Sequence, residues 1–149
     1  MKNNRFGQAK VLNTPELDLV IKYLKSRNQK VVAATLRNTG ARVGEVVQLK
    51  WRDIGKEQIL FPASITKRKL ASREIFISES FHKYLMDWSR YWTIYKGRKP
   101  LPEDFLFYGR KEGTHQTTRS FMDALDKATE RAKISGVSSH SFRRTQLTQ

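Results

Sequence analysis

Thr39-Gly40-Ala41-Arg42-Val43-Gly44-Glu45-Val46-Val47-Gln48-Leu49-Lys50-Trp51-Arg52-Asp53-Ile54 sets a helix stop, an arginine and a fresh apolar period side by side. Gly40 is the natural end of the periodic run before it, because glycine enters the left-handed region without a steric penalty. Arg42 then opens a short helix on which Val43, Val46, Val47 and Leu49 face inward. Far downstream, His140-Ser141-Phe142-Arg143 supplies a histidine and a second arginine. A guanidinium donates two parallel hydrogen bonds to phosphate oxygens and stays charged at any working pH. An imidazole can bond the same group and move protons near neutrality. Two arginines and a histidine drawn from distant segments therefore form a candidate phosphodiester site.

Upstream of this run, residues 1–12 are polar and basic and read as a flexible lead-in or linker stub, with one domain over residues 13–149. Thr14-Pro15-Glu16 signals a helix start, with Leu17, Val20, Ile21 and Leu24 inward and an expected end near Ser26. A second helix carries Val31, Val32, Ala34, Thr35 and Leu36 toward Gly40. Downstream, Ile59-Leu60-Phe61 is a short strand candidate. Residues 64–67 and 73–77 alternate with period two about a turn at 68–72, which predicts a hairpin. Ser78 or Ser80 caps a long helix with Phe81, Leu85, Trp88, Trp92 and Tyr95 in one stripe, broken by Gly97 to Pro102. The helical spacing makes Trp88 and Trp92 core residues rather than a base-stacking platform. Leu106-Phe107-Tyr108 reads as a buried segment. Another helix carries Phe121, Leu125, Ala128 and Ala132 to Ser135-Gly136, and a last one starts at Ser138-Ser139-His140. The fold class is α+β, mainly α, with a small antiparallel sheet inserted among helices.

Composition narrows the partners. Lys and Arg total 29 against 14 acids, a net charge of +15, which favours a polyanion, duplex nucleic acid first. The longest apolar runs are a few residues, such as Val31-Val32-Ala33-Ala34, far short of a membrane span. No apolar signal segment stands at the start. The chain has no cysteine, which suits an intracellular, cytoplasmic protein. The 14 acids are scattered and the three histidines far apart, so neither a metal site nor a small-molecule cofactor is expected. A small basic RNA-binding protein would explain the charge but not the ordered motifs.

The run 39–54, with its Thr-Gly-x-Arg-x-x-Glu-x-x-x-Leu pattern closing on Trp-x-Asp-Ile, resembles the first box of the tyrosine recombinases, or phage-type integrases. Ser139-His140-Ser141-Phe142-Arg143 resembles their second box, and Ile65-Thr66-Lys67-Arg68-Lys69-Leu70-Ala71-Ser72-Arg73 the hairpin that bears their catalytic lysine. The likeness runs from about Val11 onward. It implies an integrase-like catalytic domain in which Arg42 and Arg143 clamp the scissile phosphate. His140 would bond the same phosphate, and Ser138 or Ser139 would offer backbone N–H groups beside it. Lys67 would protonate the departing 5′-oxygen, with Lys69 as the alternative, and Glu45 would orient Arg42. The implied activity is site-specific cleavage and rejoining of duplex DNA through a 3′-phosphotyrosyl bond, without metal or ATP, by copies that associate on DNA.

In that family the nucleophilic tyrosine lies roughly thirty residues past the second arginine. Six residues follow Arg143 here, and Tyr23, Tyr84, Tyr91, Tyr95 and Tyr108 all lie upstream. The amino-terminal core-binding domain of the family is likewise not represented. The expectation is therefore a catalytic-domain fragment inactive on its own. The other reading is a DNA-binding module derived from a decayed integrase.

Overall fold

A computed structural model describes residues 14–66 and 71–137. The elements run α1 (Thr14–Tyr23), α2 (Arg27–Thr39), α3 (Val43–Val46), β1 (Gln58–Phe61), β2 (Arg73–Phe76), α4 (Glu79–Lys96) and α5 (Thr118–Ala132), with 3-10 turns at Trp51–Asp53 and Ala63–Ile65. They fall into two compact units. The described residues up to Val43 and from Thr117 form one, and Gly44–Gln116 the other. No described helix is long and apolar enough to cross a membrane.

The first unit packs α1 against α2 and α5. Leu17, Val20, Leu24, Val31, Val32, Leu36, Phe121, Leu125 and Ala128 supply its core, each at most 2% exposed. Helix α1 stops at Tyr23, short of the expected Ser26, because Ser26 has another task. Its hydroxyl accepts the Gln29 N–H at 3.1 Å and caps α2. The Arg131 guanidinium on α5 donates to the Tyr23 carbonyl at 3.3 Å, one of the acceptors that α1 leaves over at its end. In α2 it is Ala33, not the expected Ala34, that is fully buried, since Ala33 falls in line with Leu36 on the packed face. Helix α5 ends at Ala132 through a left-handed Lys133 (φ 58°), before the expected Ser135-Gly136, and Thr129 joins its buried face.

The second unit is built on α4. Ser78 caps it by accepting the Phe81 N–H at 3.1 Å, and Gly97 (φ 74°) closes it. Trp88 and Trp92 are each 1% exposed. Their indole N–H groups donate to Leu106 O at 2.9 Å and Phe105 O at 3.1 Å. Both are core residues, as their spacing predicts, and the bonds give each ring's polar edge a partner. Tyr95 departs from the expected stripe and is 60% exposed. It lies in the last turn, where it stacks on the half-buried Tyr108 at 4.1 Å and 3°.

The sheet is two-stranded and antiparallel, with Phe61 opposite Arg73 and Gln58 opposite Phe76. The partner of β2 is thus β1, not the expected strand at 64–67. Pro62 has no N–H for a ladder, and after it the chain turns so that Thr66 N–H and Oγ1 both donate to Ala63 O, at 3.2 and 2.9 Å. Ile59 and Phe61 are fully buried, giving β1 the apolar face that the 64–67 segment lacks.

Candidate active site

Arg42 reaches its place through a chain of local bonds. Thr39 Oγ1 donates to Thr35 O at 2.7 Å and accepts from Ala41 N at 3.2 Å, fastening the loop to the end of α2. Gly40, at φ 68°, returns its N–H to Leu36 O at 2.9 Å. That left-handed turn would strain a residue with a Cβ. Ala41 is fully buried, and Arg42 follows it outward, exposed and immediately ahead of α3. Thr39, Gly40 and Ala41 thus each have a mechanical reason to be where they are.

Beyond Arg42 the run changes character. Helix α3 is only Val43–Val46; Val47 and Leu49 are buried in the turn after it rather than on a longer helix. Lys50 and Trp51–Asp53 lie along the segment 102–106. Leu106 N donates to Leu49 O at 2.8 Å, Trp51 N to Asp104 O at 3.0 Å and Arg52 N to Pro102 O at 3.0 Å. The Asp53 carboxylate accepts the Lys50 N–H at 2.9 Å, closing the turn. Burial pushes the Asp53 carboxyl upward, and that backbone bond draws it back. Trp51 meets Trp92 edge to face at 6.2 Å.

Glu45 is 3% exposed, and its Oε1 stands 2.9 Å from Arg73 Nη2. The Arg73 guanidinium also lies over the Phe61 ring, 5.1 Å from its centre. Arg73 is the residue that sequence reasoning missed. Two signals could have found it. A buried carboxylate needs a cation, and the alternation of β2 sets Arg73 on the same face as Ile75. Lys50 pairs with Glu103 at 3.3 Å.

Lys67, Lys69, Ser138, Ser139, His140 and Arg143 lie outside the described residues. Of the eight candidate residues, the structure describes Arg42 and Glu45. Among the described residues no three or more His, Asp or Glu side chains are grouped so as to hold a metal ion.

Residues 10–149 match the model of the phage integrase family. The chain belongs to that family. Transposase A from transposon Tn554 of Staphylococcus aureus is 27% identical over 152 residues, 95% of this integrase-family chain and 41% of the transposase. The chain thus spans about two-fifths of the length of that curated relative. Among solved structures, the Tn1549 transposon integrase in complex with transposon right-end DNA is similar with a TM-score of 0.75 at 15% identity, over 98% of this chain and 54% of that one. The catalytic domain of bacteriophage HP1 integrase follows with a TM-score of 0.65 at 18% identity, over 93% and 70%. At such identities the likeness establishes the fold: mainly helical, with a small antiparallel sheet, as the sequence predicts.

Proposed function

We propose that this chain is the catalytic part of a tyrosine-type DNA recombinase that works within a longer polypeptide, cutting and rejoining duplex DNA at specific sites. The observation that carries the reading is the run 39–54, matched within a family model covering residues 10–149, with Arg42 carried outward by the Thr39-Gly40-Ala41 turn. In this reading Arg42 and Arg143 grip the two non-bridging oxygens of the scissile phosphate and neutralise charge as the phosphorane forms. A tyrosine oxygen attacks phosphorus as its hydroxyl proton passes to a base, and the bond to the 5′-oxygen breaks. Lys67, or Lys69 in its place, hands that oxygen a proton, and His140 bonds the phosphate. A 5′-hydroxyl later attacks the 3′-phosphotyrosyl bond, returns the proton and frees the tyrosine. One phosphodiester is exchanged for another, so bond energy is conserved. The net charge of +15 supports duplex DNA as the partner. Copies are proposed to associate on DNA, in the cytoplasm or at the nucleoid.

A nicked suicide duplex tests this. A protein that joins this chain to a tyrosine box of the family should leave a tyrosine-linked DNA adduct on a denaturing gel. Tight DNA binding with no adduct would overturn the enzymatic reading in favour of a DNA-binding module descended from an integrase.

The 149-residue chain itself should bind duplex DNA with little sequence preference and steep salt dependence. For six or more phosphate contacts, affinity falls by about a thousandfold or more between 50 and 200 mM salt. Titration at three salt concentrations measures the slope, and nanomolar affinity insensitive to salt would contradict it.

A further inference from the structure

The Glu45–Arg73 pair joins two segments that the proposed reaction must hold in register. Glu45 sits in α3, three positions after Arg42. Arg73 opens β2, six positions after Lys67 and four after Lys69. The Glu45 side chain is 4% exposed and that of Arg73 40% exposed, with 2.9 Å between Oε1 and Nη2. On its strand Arg73 stands opposite Phe61, which is fully buried, and its guanidinium covers that ring. The arginine is therefore held on one side by a buried anion and on the other by an aromatic face, a setting that fixes its rotamer. A lysine could keep the charge but not the planar contact with both.

We propose that Arg73 is a positioning residue: its ion pair with Glu45, backed by Phe61, anchors the start of β2 to the first box and so sets the base from which the hairpin lysine reaches the leaving 5′-oxygen. This rests on the recombinase reading above and deepens it. Arg73 touches no reacting atom. It acts through the lysine, so its loss should be felt only where a proton must be delivered. An alkoxide leaves poorly without that proton, whereas a 5′-bridging sulfur leaves readily without one.

The test uses a recombinase carrying this chain and a tyrosine box, with Arg73→Gln, Arg73→Lys and Glu45→Gln variants on two substrates, the ordinary duplex and its 5′-bridging sulfur analogue. The expected result is cleavage slowed by about 10- to 100-fold on the ordinary substrate, the range typical of groups that orient a functional ligand. On the sulfur substrate the Arg73 variants should cleave at a rate near wild type, with DNA affinity unchanged. The Arg73→Gln/Glu45→Gln double variant should be no slower than the worse single one, as members of one unit are not additive. Arg73→Lys decides the matter if removing the charge prevents folding, its thermal midpoint showing that the protein is intact. Equal losses on both substrates would mean that the pair merely holds the fold, and no loss on either would mean that it positions nothing. Either result overturns the proposal. Lys67→Ala and Lys69→Ala separate this failure from that of the underlying reading. If sulfur rescues one of them but not the Arg73 variants, the positioning role alone is wrong. If it rescues neither lysine variant, the hairpin acid is wrong and the inference falls with it.

Discussion

In a recombinase that carries this chain and a tyrosine box, lysine in place of Arg42 or Arg143 will leave a folded protein that binds DNA and barely cuts it. The expected loss in single-turnover cleavage is about 10³–10⁵, the scale on which an arginine stabilises the transition state of phosphoryl transfer. A lysine keeps one positive charge, so the long-range attraction to the duplex survives. It loses the fork that bonds two oxygens in one plane, and those bonds tighten as charge develops in the phosphorane. For Arg42 the local structure explains why the fold should tolerate the change. The turn is held by Thr39, Gly40 and the buried Ala41, while Arg42 itself is exposed. Cleavage of the suicide duplex by each variant, with affinity measured in parallel, checks the result. An unaffected rate in either variant would remove that arginine from the site.

Lys67→Ala should slow cleavage by about 10²–10⁴, the contribution usual for a general acid, and the loss should vanish on a 5′-bridging sulfur substrate. The logic is one of leaving groups. A thiolate departs unprotonated, so a protein without its acid cleaves such a substrate as the wild type does. Arg143→Ala should stay defective on it, because the phosphorane still needs its charge neutralised. Rescue of Lys69→Ala instead would move the acid two positions along the chain. Rescue of neither would put the acid outside this segment.

Much of this protein is written locally and can be read that way. The caps at Ser26, Gly40, Ser78, Gly97 and Thr117 are properties of single residues acting on neighbours three or four positions away. Periodicity in the chain places Leu17, Val20, Leu85, Trp88 and Leu125 in the core. The first box belongs to the same class, since its glycine, its buried alanine and its outward arginine follow from one turn at the end of α2. Arg42, Lys67, Lys69, His140 and Arg143 were all legible as candidates in the chain alone, the last four outside the described residues. What the chain alone did not decide are pairings between distant segments. Sequence marks Ile59-Leu60-Phe61 as a short strand but gives the period-two alternation that suggests a partner for β2 to the 64–67 stretch. Only the burial of Ile59 and Phe61, and the missing N–H of Pro62, select β1. Tyr95 keeps the spacing of a core residue, yet it is 60% exposed and stacks on the half-buried Tyr108. Glu45 has basic neighbours in sequence at Arg42 and Lys50, and it forms an ion pair with Arg73, twenty-eight positions away. Capping and periodicity act within a few residues of one chain segment, so sequence states them. The partner of a buried charge depends on which distant strand is brought beside it, and that is a property of the fold.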